Sequence, residues 1–471
     1  MSEIIMPDQF TGMSALIDIN KILDAKAQSQ GLMFTTMDPS LRVKGALSTG
    51  LYSFDLMSGG GYAGGRFVYV YGPTGSCKST LTFHGIKSAI DHKIMSVIND
   101  HESSVDPTYF KNIGVDLDEA CGRLNKKGEW AVKPTLRYAL GTTAEATFKF
   151  MNQVMHQLPD KIQLLDSKED AYRYFLIHPE YDYRLTWKSI NEGLKNKKVV
   201  EVGDFSPQMV FLTDSLKSML PEAKDNDIDS DPIAMLARTL STCFPLVKSL
   251  LGAKHCIYLA TNHITINPMA RFQSPETEPG GSAVQFYPDM KIKMNMSQAQ
   301  SNVISEPHVS GNGEDRYTEG RATIIKNKAG PSFRKMPFRL WRDELGQPGR
   351  GIDPVFDIYT FLRKCDLIEK LDKDNFGIKL KGWEAKNFSW LDFKKMVLLD
   401  KDGKQVRQEI EAMLADGSAF DLYYERLSKG GDDDDDKKVA EKSKKGRKKA
   451  SEASETSEVE EVEVSEDPVE V

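Results

Sequence analysis

FVYVYGPTGSCKSTLTFHGIKSAI, residues 67–90, reads as strand, glycine-rich turn and helix. The apolar run FVYVY suits a strand covered on both faces. GPTGSCKS follows it with the outline of a phosphate-binding loop, G-x-x-x-x-G-K-[ST]. Gly72, Lys78 and Ser79 fit that outline, and Cys77 stands where the second glycine belongs. The chemistry still holds. Backbone N–H groups of Gly72, Pro73, Thr74, Gly75, Ser76, Cys77, Lys78, Ser79 and Thr80 (Pro73 excepted as a donor) curl toward a helix N-terminus that favours anions. Lys78 would reach β- and γ-phosphates, and Ser79 would offer its hydroxyl to Mg²⁺. The competing reading is a chance Gly/Ser turn ahead of a helix. The favoured reading of Cys77 is a small side chain that merely replaces glycine; the alternative is a thiol whose pKa the adjacent lysine and helix N-terminus lower, making it reactive.

Working outward, five more β-rich runs surround this unit: IMSVI (94–98), QMVFLTD (208–214), CIYLAT (256–261), MKIKM (290–294) and ATIIK (322–326). Helical stretches separate several of them, so the expected class is α/β with a largely parallel twisted sheet. Four divisions are expected. Residues 1–42 form a lead-in with a short amphipathic helix at 15–27 and a strand at 31–37, too small to bury a core alone and therefore an oligomerisation segment. Residues 43–349 form the core, with an insertion near 160–206. Residues 350–430 form a small C-terminal α/β domain opened by the amphipathic helix PVFDIYTFLRKCDLIEK. Residues 431–471 form a disordered charged tail.

The 471 residues carry a formal net charge of −7. Residues 432–471 hold 15 acidic and 8 basic side chains, so the body is neutral and can carry a basic groove. The five cysteines include no C-x-x-C pair, which argues against a zinc site or disulfide framework and fits a reducing compartment. No basic n-region precedes an apolar run at the start, and no apolar stretch approaches the roughly 20 residues that span a bilayer. The expectation is a protein without a membrane partner.

Six segments in collinear order resemble the RecA family of recombinases: ALSTGLYSFDLMSGGGYAGGRFVYVYGPTGSCKSTL, INDHESSVDPTYFKNIGVD, FLTDSL, LATNHITINPMARFQSPETEPGGSAVQFY, IIKNKAGPSF and GIDPVFDIYTFLRKCDLIEK. Together they cover most of residues 43–370. The substitution at Cys77 is similar to the phage, UvsX-like branch of that family. The resemblance implies a RecA-type P-loop ATPase core that uses ATP and Mg²⁺. It implies that Glu102 orients and polarises the attacking water and that Asp214 supports Mg²⁺. Asp106 and Tyr109 would contact and stack on adenine. His263, where the bacterial family usually has Gln, would sense the γ-phosphate, and Lys326 and Lys328 would reach a neighbouring subunit's γ-phosphate. Each has a plain structural alternative: a surface Glu after a strand, an Asp ending a strand, a core tyrosine, a satisfied histidine, two solvent-facing lysines.

For DNA, the resemblance points to the loop from about Thr265 to Gly281, where Arg271 and Phe272 offer a cation and a stacking group and the backbone near Gly280 and Gly281 can hold phosphates. A second loop, from about Asp225 to Arg238, corresponds by position but is acidic; Arg238 is its candidate contact. The alternative for both is plain surface connection. The 160–206 insertion interleaves Tyr172, Tyr174, Tyr181, Tyr183 and Trp187 with lysines and arginines, which suits DNA, a partner or a satellite core. The tail suits either an autoinhibitor of DNA binding or a solubiliser. The implied partners are single- and double-stranded DNA, further copies of the chain in a helical filament, and single-strand-binding and mediator proteins. The implied location is cytoplasmic and nucleoid-associated, in a bacterial host's cytoplasm for a phage-encoded chain. The implied function is ATP-dependent strand exchange. Its rivals are a hexameric helicase on the same core and a non-catalytic DNA-binding mediator with a degraded P-loop.

Overall fold

A computed structural model describes residues 45–429, apart from 142, 159, 163–198, 202–206, 223–231, 267–275, 297–298, 300–301, 344–347, 373, 381–382, 384–385 and 400. The lead-in helix and strand, the tail and the aromatic residues of the insertion lie outside the described residues. Of the insertion, Asp160–Ile162 and Val199–Glu201 pair as parallel strands.

Every β-rich run noted in the sequence becomes a strand of one ten-stranded sheet. Six strands form its parallel half: β1 (Phe67–Gly72), β2 (Met95–Asp100), β3 (Leu136–Leu140), β4 (Met209–Asp214), β5 (Ile257–His263) and β6 (Met290–Met296). They lie in the order β6–β1–β5–β4–β2–β3. The sheet continues antiparallel from β6 through β8 (Glu314–Asn327), β9 (Lys335–Arg342) and β10 (Pro348–Ile352), and β7 (Val303–Pro307) also pairs with β8. ATIIK falls in this antiparallel part, because residues 328–334 are too few to carry a parallel crossover.

Strand alternation divides β1 between two cores. Val68 and Val70 enter one hydrophobic cluster, and Phe67, Tyr69 and Tyr71 enter the other. The valine face packs on α2 (Lys78–Asp91) through Leu81, Phe83 and Ile86. The same cluster continues into α7 (Pro354–Lys364), α8 (Trp390–Leu399), α9 (Lys401–Asp416) and α10 (Ser418–Ser428) through Ile358, Phe393, Val406 and Tyr423. The aromatic face packs on α4 (Ala144–Gln157) and α5 (Pro232–Lys254). Shorter helices are α1 (Tyr52–Ser58), α3 (Pro107–Asn112) and α6 (Ala283–Phe286). The result is a helix–sheet–helix sandwich of the α/β class.

Two expectations are corrected. The helix read over 354–370 ends at Lys364: Asp366 takes a positive φ of 58°, Leu367 N–H returns to Leu362 O at 2.8 Å, and Ile368–Lys370 becomes a strand. The loop read as running to Arg238 gives way to helix from Pro232, since Leu236, Leu240, Phe244, Val247 and Leu251 recur at helical spacing and are all buried.

Polar contacts weld the C-terminal helices to the core. Asp357 of α7 accepts from Tyr52 N–H at 2.7 Å, Ser53 N–H at 3.1 Å and the Ser53 hydroxyl at 2.5 Å, capping α1 from a distance of three hundred residues in sequence. On α2, buried His84 accepts Ile352 N–H at 3.1 Å through Nε2, and burial holds its pKa down to about 4.

Candidate nucleotide and DNA site

The parallel strands end together, and their last residues build the site. Gly72 closes β1. A Cβ there would lie 2.3 Å from Met294 O and 2.7 Å from Ser76 Oγ, so only glycine lets the loop turn this close to β6. The loop then folds around one carbonyl. Pro73 O accepts from Ser76 Oγ at 2.7 Å and from Lys78 Nζ at 2.8 Å. Gly75 and Cys77 both have positive φ, 70° and 68°. The motif's usual second glycine is explained by that conformation, which Cys77 adopts at a cost of about 1–2 kcal/mol.

The reactive-thiol alternative for Cys77 is overturned. Its side chain is buried beside Met296, Sγ to Sδ 3.5 Å, and burial pushes the thiol up to about 12 despite Arg342 and Lys78 nearby.

Lys78 is buried at the head of α2, and burial holds its pKa below the usual lysine value against the opposing pull of Asp214 and Glu102. Asp214 closes β4. Its Oδ1 accepts from Thr261 Oγ1 at 2.5 Å, while its buried Oδ2 has no hydrogen-bond partner among the described residues. Burial raises its pKa, and the Ser79 hydroxyl is close enough to oppose that rise. A hydroxyl and an unsatisfied carboxylate oxygen side by side fit a hard, oxygen-seeking cation such as Mg²⁺, which takes few protein ligands when phosphates supply the rest. No group of three or more His, Cys, Asp or Glu suited to a metal occurs among the described residues.

Glu102 lies just past β2, where Asp100 shapes the turn. Asp100 Oδ1 accepts Glu102 N–H at 3.0 Å, and Oδ2 accepts Val105 N–H at 3.0 Å and the Tyr138 hydroxyl at 2.9 Å. Three donors then converge on Glu102 Oε1: His263 Nε2 at 2.7 Å, Ser215 Oγ at 2.6 Å and Ser218 Oγ at 3.2 Å. The His263 hydrogen bond, ahead of burial and the serines, sets the balance that lowers the Glu102 pKa to about 2. So weak a base is better suited to orienting and polarising a water than to removing its proton. His263 closes β5, and its Nδ1 lies 3.4 Å from Thr74 Oγ1 in the phosphate loop. With the Nε2 proton given to Glu102, Nδ1 of a neutral ring accepts from Thr74. One imidazole therefore joins the carboxylate to the loop.

Tyr109 packs its ring near Phe83 of α2 and donates to Thr80 Oγ1 at 2.9 Å. Asp106 is exposed and caps α3 by accepting Thr108 N–H at 2.8 Å. Tyr109 thereby stands against the phosphate-loop helix.

The segment leaving His263 is tied down at its base. Thr265–Ile266 pairs antiparallel with Glu276–Thr277. Lys293 pairs with Glu276 at 2.5 Å, and Lys291 meets Glu278 at 3.0 Å while lying over the Tyr69 and Tyr71 rings. Asn262 donates to Tyr69 Oη at 2.9 Å and to Pro279 O at 2.7 Å, linking the strand end to the returning limb. Gly280 and Gly281, both at positive φ, press onto α5: a Cβ would lie 2.8 Å from Leu240 and 2.9 Å from Ala237. That brings Gly281 next to Arg238, which is exposed on α5. Arg271 and Phe272 lie outside the described residues. Lys326 and Lys328 stand at the far end of β8, Lys326 Nζ donating to Phe286 O at 3.0 Å and Lys328 Nζ lying 3.6 Å from Asp289.

Sequence reading missed Asp100, Ser215, Ser218 and Asn262. A signal existed for Asp100: it ends an apolar strand as Asp214 does, and the two are register partners on neighbouring parallel strands. The hydroxyls had none, because their value depends on which carboxylate the fold sets beside them.

The strand–loop–helix geometry, the buried lysine and the paired Ser79 and Asp214 define an α/β protein of the P-loop nucleotide-binding class. The family model for the RecA N-terminal domain matches residues 11–135 and 198–344. The chain belongs to the RecA family. It is 23% identical to Protein RecA of Rhodospirillum centenum over 327 residues, which is 69% of each chain. It is equally identical to Protein RecA of Paracoccus denitrificans and of Synechococcus elongatus, over 69% of this chain and 70% and 71% of theirs. No helix among the described residues is long and apolar enough to cross a membrane.

Proposed function

We propose that the protein is an ATP-dependent recombinase that polymerises on single-stranded DNA, pairs it with homologous duplex and exchanges strands. The observation that carries this reading is the position of His263. It bonds the water-orienting carboxylate Glu102, stands beside the phosphate-loop Thr74, and begins the segment whose two-residue ladder closes the loop of Thr265–Gly281. A change at a nucleotide's terminal phosphate and a change in a DNA-bound loop would thus act on the same side chain.

In this reading Lys78 and the loop N–H groups hold the phosphates of ATP, and Ser79 and Asp214 hold Mg²⁺, which supplies charge neutralisation there. Glu102 orients the attacking water. Tyr109 and Asp106 flank the base. Lys326 and Lys328 serve a neighbouring copy's nucleotide, so hydrolysis requires a filament. Arg238, Arg271, Phe272, Gly280 and Gly281 supply DNA contacts, mainly to backbone, with weak sequence preference. Residues 1–42 join subunits, and the tail modulates access to duplex DNA. Cys77 in place of glycine supports a place in the phage-type, UvsX-like branch, acting in the cytoplasm of a bacterial host with single-strand-binding and mediator proteins.

The test is ATP hydrolysis with and without single-stranded DNA across protein concentration, followed by strand exchange between homologous substrates. DNA-stimulated hydrolysis that is cooperative in protein, with exchange, is the expected result. Closed rings that translocate would establish a helicase instead, and DNA binding without hydrolysis would establish a mediator.

A further inference from the structure

Asp289 is a buried carboxylate just ahead of β6, with cations crowded on one of its oxygens. Oδ2 accepts Phe67 N–H at 3.1 Å, which fixes the group against β1. Oδ1 is approached by Lys248 Nζ at 2.9 Å, Lys328 Nζ at 3.6 Å and Arg66 Nη1 at 4.0 Å. The two lysines are held differently. Lys248, on α5, also donates to Tyr287 O at 2.5 Å, and its side chain is 28% exposed against 49% for Lys328. Both border a cavity of about 530 Å³ lined also by Ser241, Ser282 and Phe286. Lys326 sits at the same place, and after burial its largest disturbance is repulsion from Lys328 and Lys248. Positive charge here exceeds what one carboxylate balances.

A buried carboxylate must keep a cation, because an uncompensated buried charge is strongly unfavourable. With one cation available it would hold that cation tightly. With several, the best-bonded one can remain while a more loosely held one departs.

We propose that Lys248 is the resident counter-ion of Asp289, and that its presence releases Lys328 to act on a phosphate group presented by a second copy of the chain. This rests on the reading of Lys328 given under the proposed function. Lys248 is a positioning residue: it touches neither nucleotide nor DNA, and works by making Lys328 dispensable to Asp289. Asp289 is the other half of the device.

The experiment is DNA-stimulated ATP hydrolysis by the full chain at saturating protein, with KM and kcat separated. Lys248→Met should lower kcat about tenfold with KM for ATP little changed, since of the two cations left near Asp289 Oδ1, Lys328 at 3.6 Å is closer than Arg66 at 4.0 Å and becomes the one held there. Lys248→Met/Asp289→Asn should recover to within about threefold of the parent, because the uncharged amide has no claim on Lys328 and still accepts Phe67 N–H. Asp289→Asn alone should stay near the parent rate for the same reason, and it keeps the test decisive if Lys248→Met folds poorly. The proposal is overturned if Lys248→Met matches the parent, if the double variant is as slow as Lys248→Met, or if folded Asp289→Asn loses hydrolysis. Lys328→Ala separates the two levels. A slow Lys328→Ala with a normal Lys248→Met removes only this assignment. A Lys328→Ala that keeps cooperative hydrolysis removes the reading of Lys328 itself, and this device with it.

Discussion

The two ends of the sheet handle charge in opposite ways. Around Glu102, one carboxylate oxygen receives a histidine and two serines, and the turn beneath it is held by Asp100. Around Asp289, three cations share one oxygen, and the lysine with the longer contact is half exposed. The first arrangement is saturated and preorganised, which suits a group that must not move while water is aligned. The second is over-supplied, which suits a group that must change partners. A rigid half and a labile half on one sheet are what the proposed function, hydrolysis completed by a neighbouring copy, would require.

The largest expected effect tests the saturated half. Glu102→Gln should lower hydrolysis by about 10²–10⁴ while leaving ATP binding intact, measured by single-turnover kinetics and equilibrium binding. Loss of binding would show that the site is held together by Glu102 rather than merely armed by it.

His263→Ala comes next. The hydrogen bond that most lowers the Glu102 pKa disappears, so that pKa rises from about 2 toward the ordinary carboxylate range. The rate should fall about tenfold or more, and the acid limb of the pH–rate profile should move upward in pH. An unmoved acid limb would mean that Glu102 does not need the imidazole to stay ionised. The same variant should weaken the DNA stimulation of hydrolysis, because the link from Glu102 to the Thr265–Gly281 loop runs through this ring.

A smaller effect tests the contact between α2 and β10, the edge strand just ahead of the C-terminal helices. His84 has a folded pKa of about 4, below its ordinary value near 6.5, so the folded state resists the proton that the unfolded chain accepts. The stability this histidine contributes is intact above about pH 6.5 and is lost as pH falls toward about 4. His84→Gln should flatten that part of the acid dependence, by up to about 2 kcal/mol, in thermal or urea melts between pH 7.5 and 5. An unchanged slope would mean that other groups control the acid loss.

The smallest effect belongs to Cys77. Cys77→Gly relieves a left-handed residue but gives up the contact with Met296, so stability should change by less than about 1 kcal/mol and hydrolysis by less than about threefold. Thiol reagents should modify exposed Cys121 well before buried Cys77, as peptide mapping would show. Rapid labelling of Cys77 with loss of ATP binding would contradict the buried geometry.

Much of this was readable beforehand. FVYVY, QMVFLTD and CIYLAT announced buried parallel strands, because a strand covered on both faces must be apolar on both. Lys78 and Ser79 were picked out by the loop motif, and Glu102, Asp214 and His263 by the family resemblance; the structure sets all five at or just past the ends of parallel strands. The helix at 354–370 was read too long, since amphipathic spacing does not reveal that Asp366 turns left-handed. Arg238 was read as loop because the acidic stretch before it masked the helical spacing that begins at Pro232. For Cys77 the reactive alternative failed because local sequence shows the neighbouring lysine and helix end but not the burial against Met296, while the reading as a plain replacement for glycine fits the buried side chain.

What the sequence determined alone is therefore periodic or motif-bound: the α/β class and the phosphate loop, with the carboxylates and histidine entering through the family resemblance. Class and loop follow from rules that act over a few residues. The tertiary structure decided every relation between distant positions: the bond from His263 to Glu102, the serines that complete it, the cap that Asp357 gives α1, and the sharing of Asp289 by Lys248 and Lys328. Hydrogen bonds and ion pairs act within a few ångströms, and only the folded sheet brings residues so far apart in the chain within that reach.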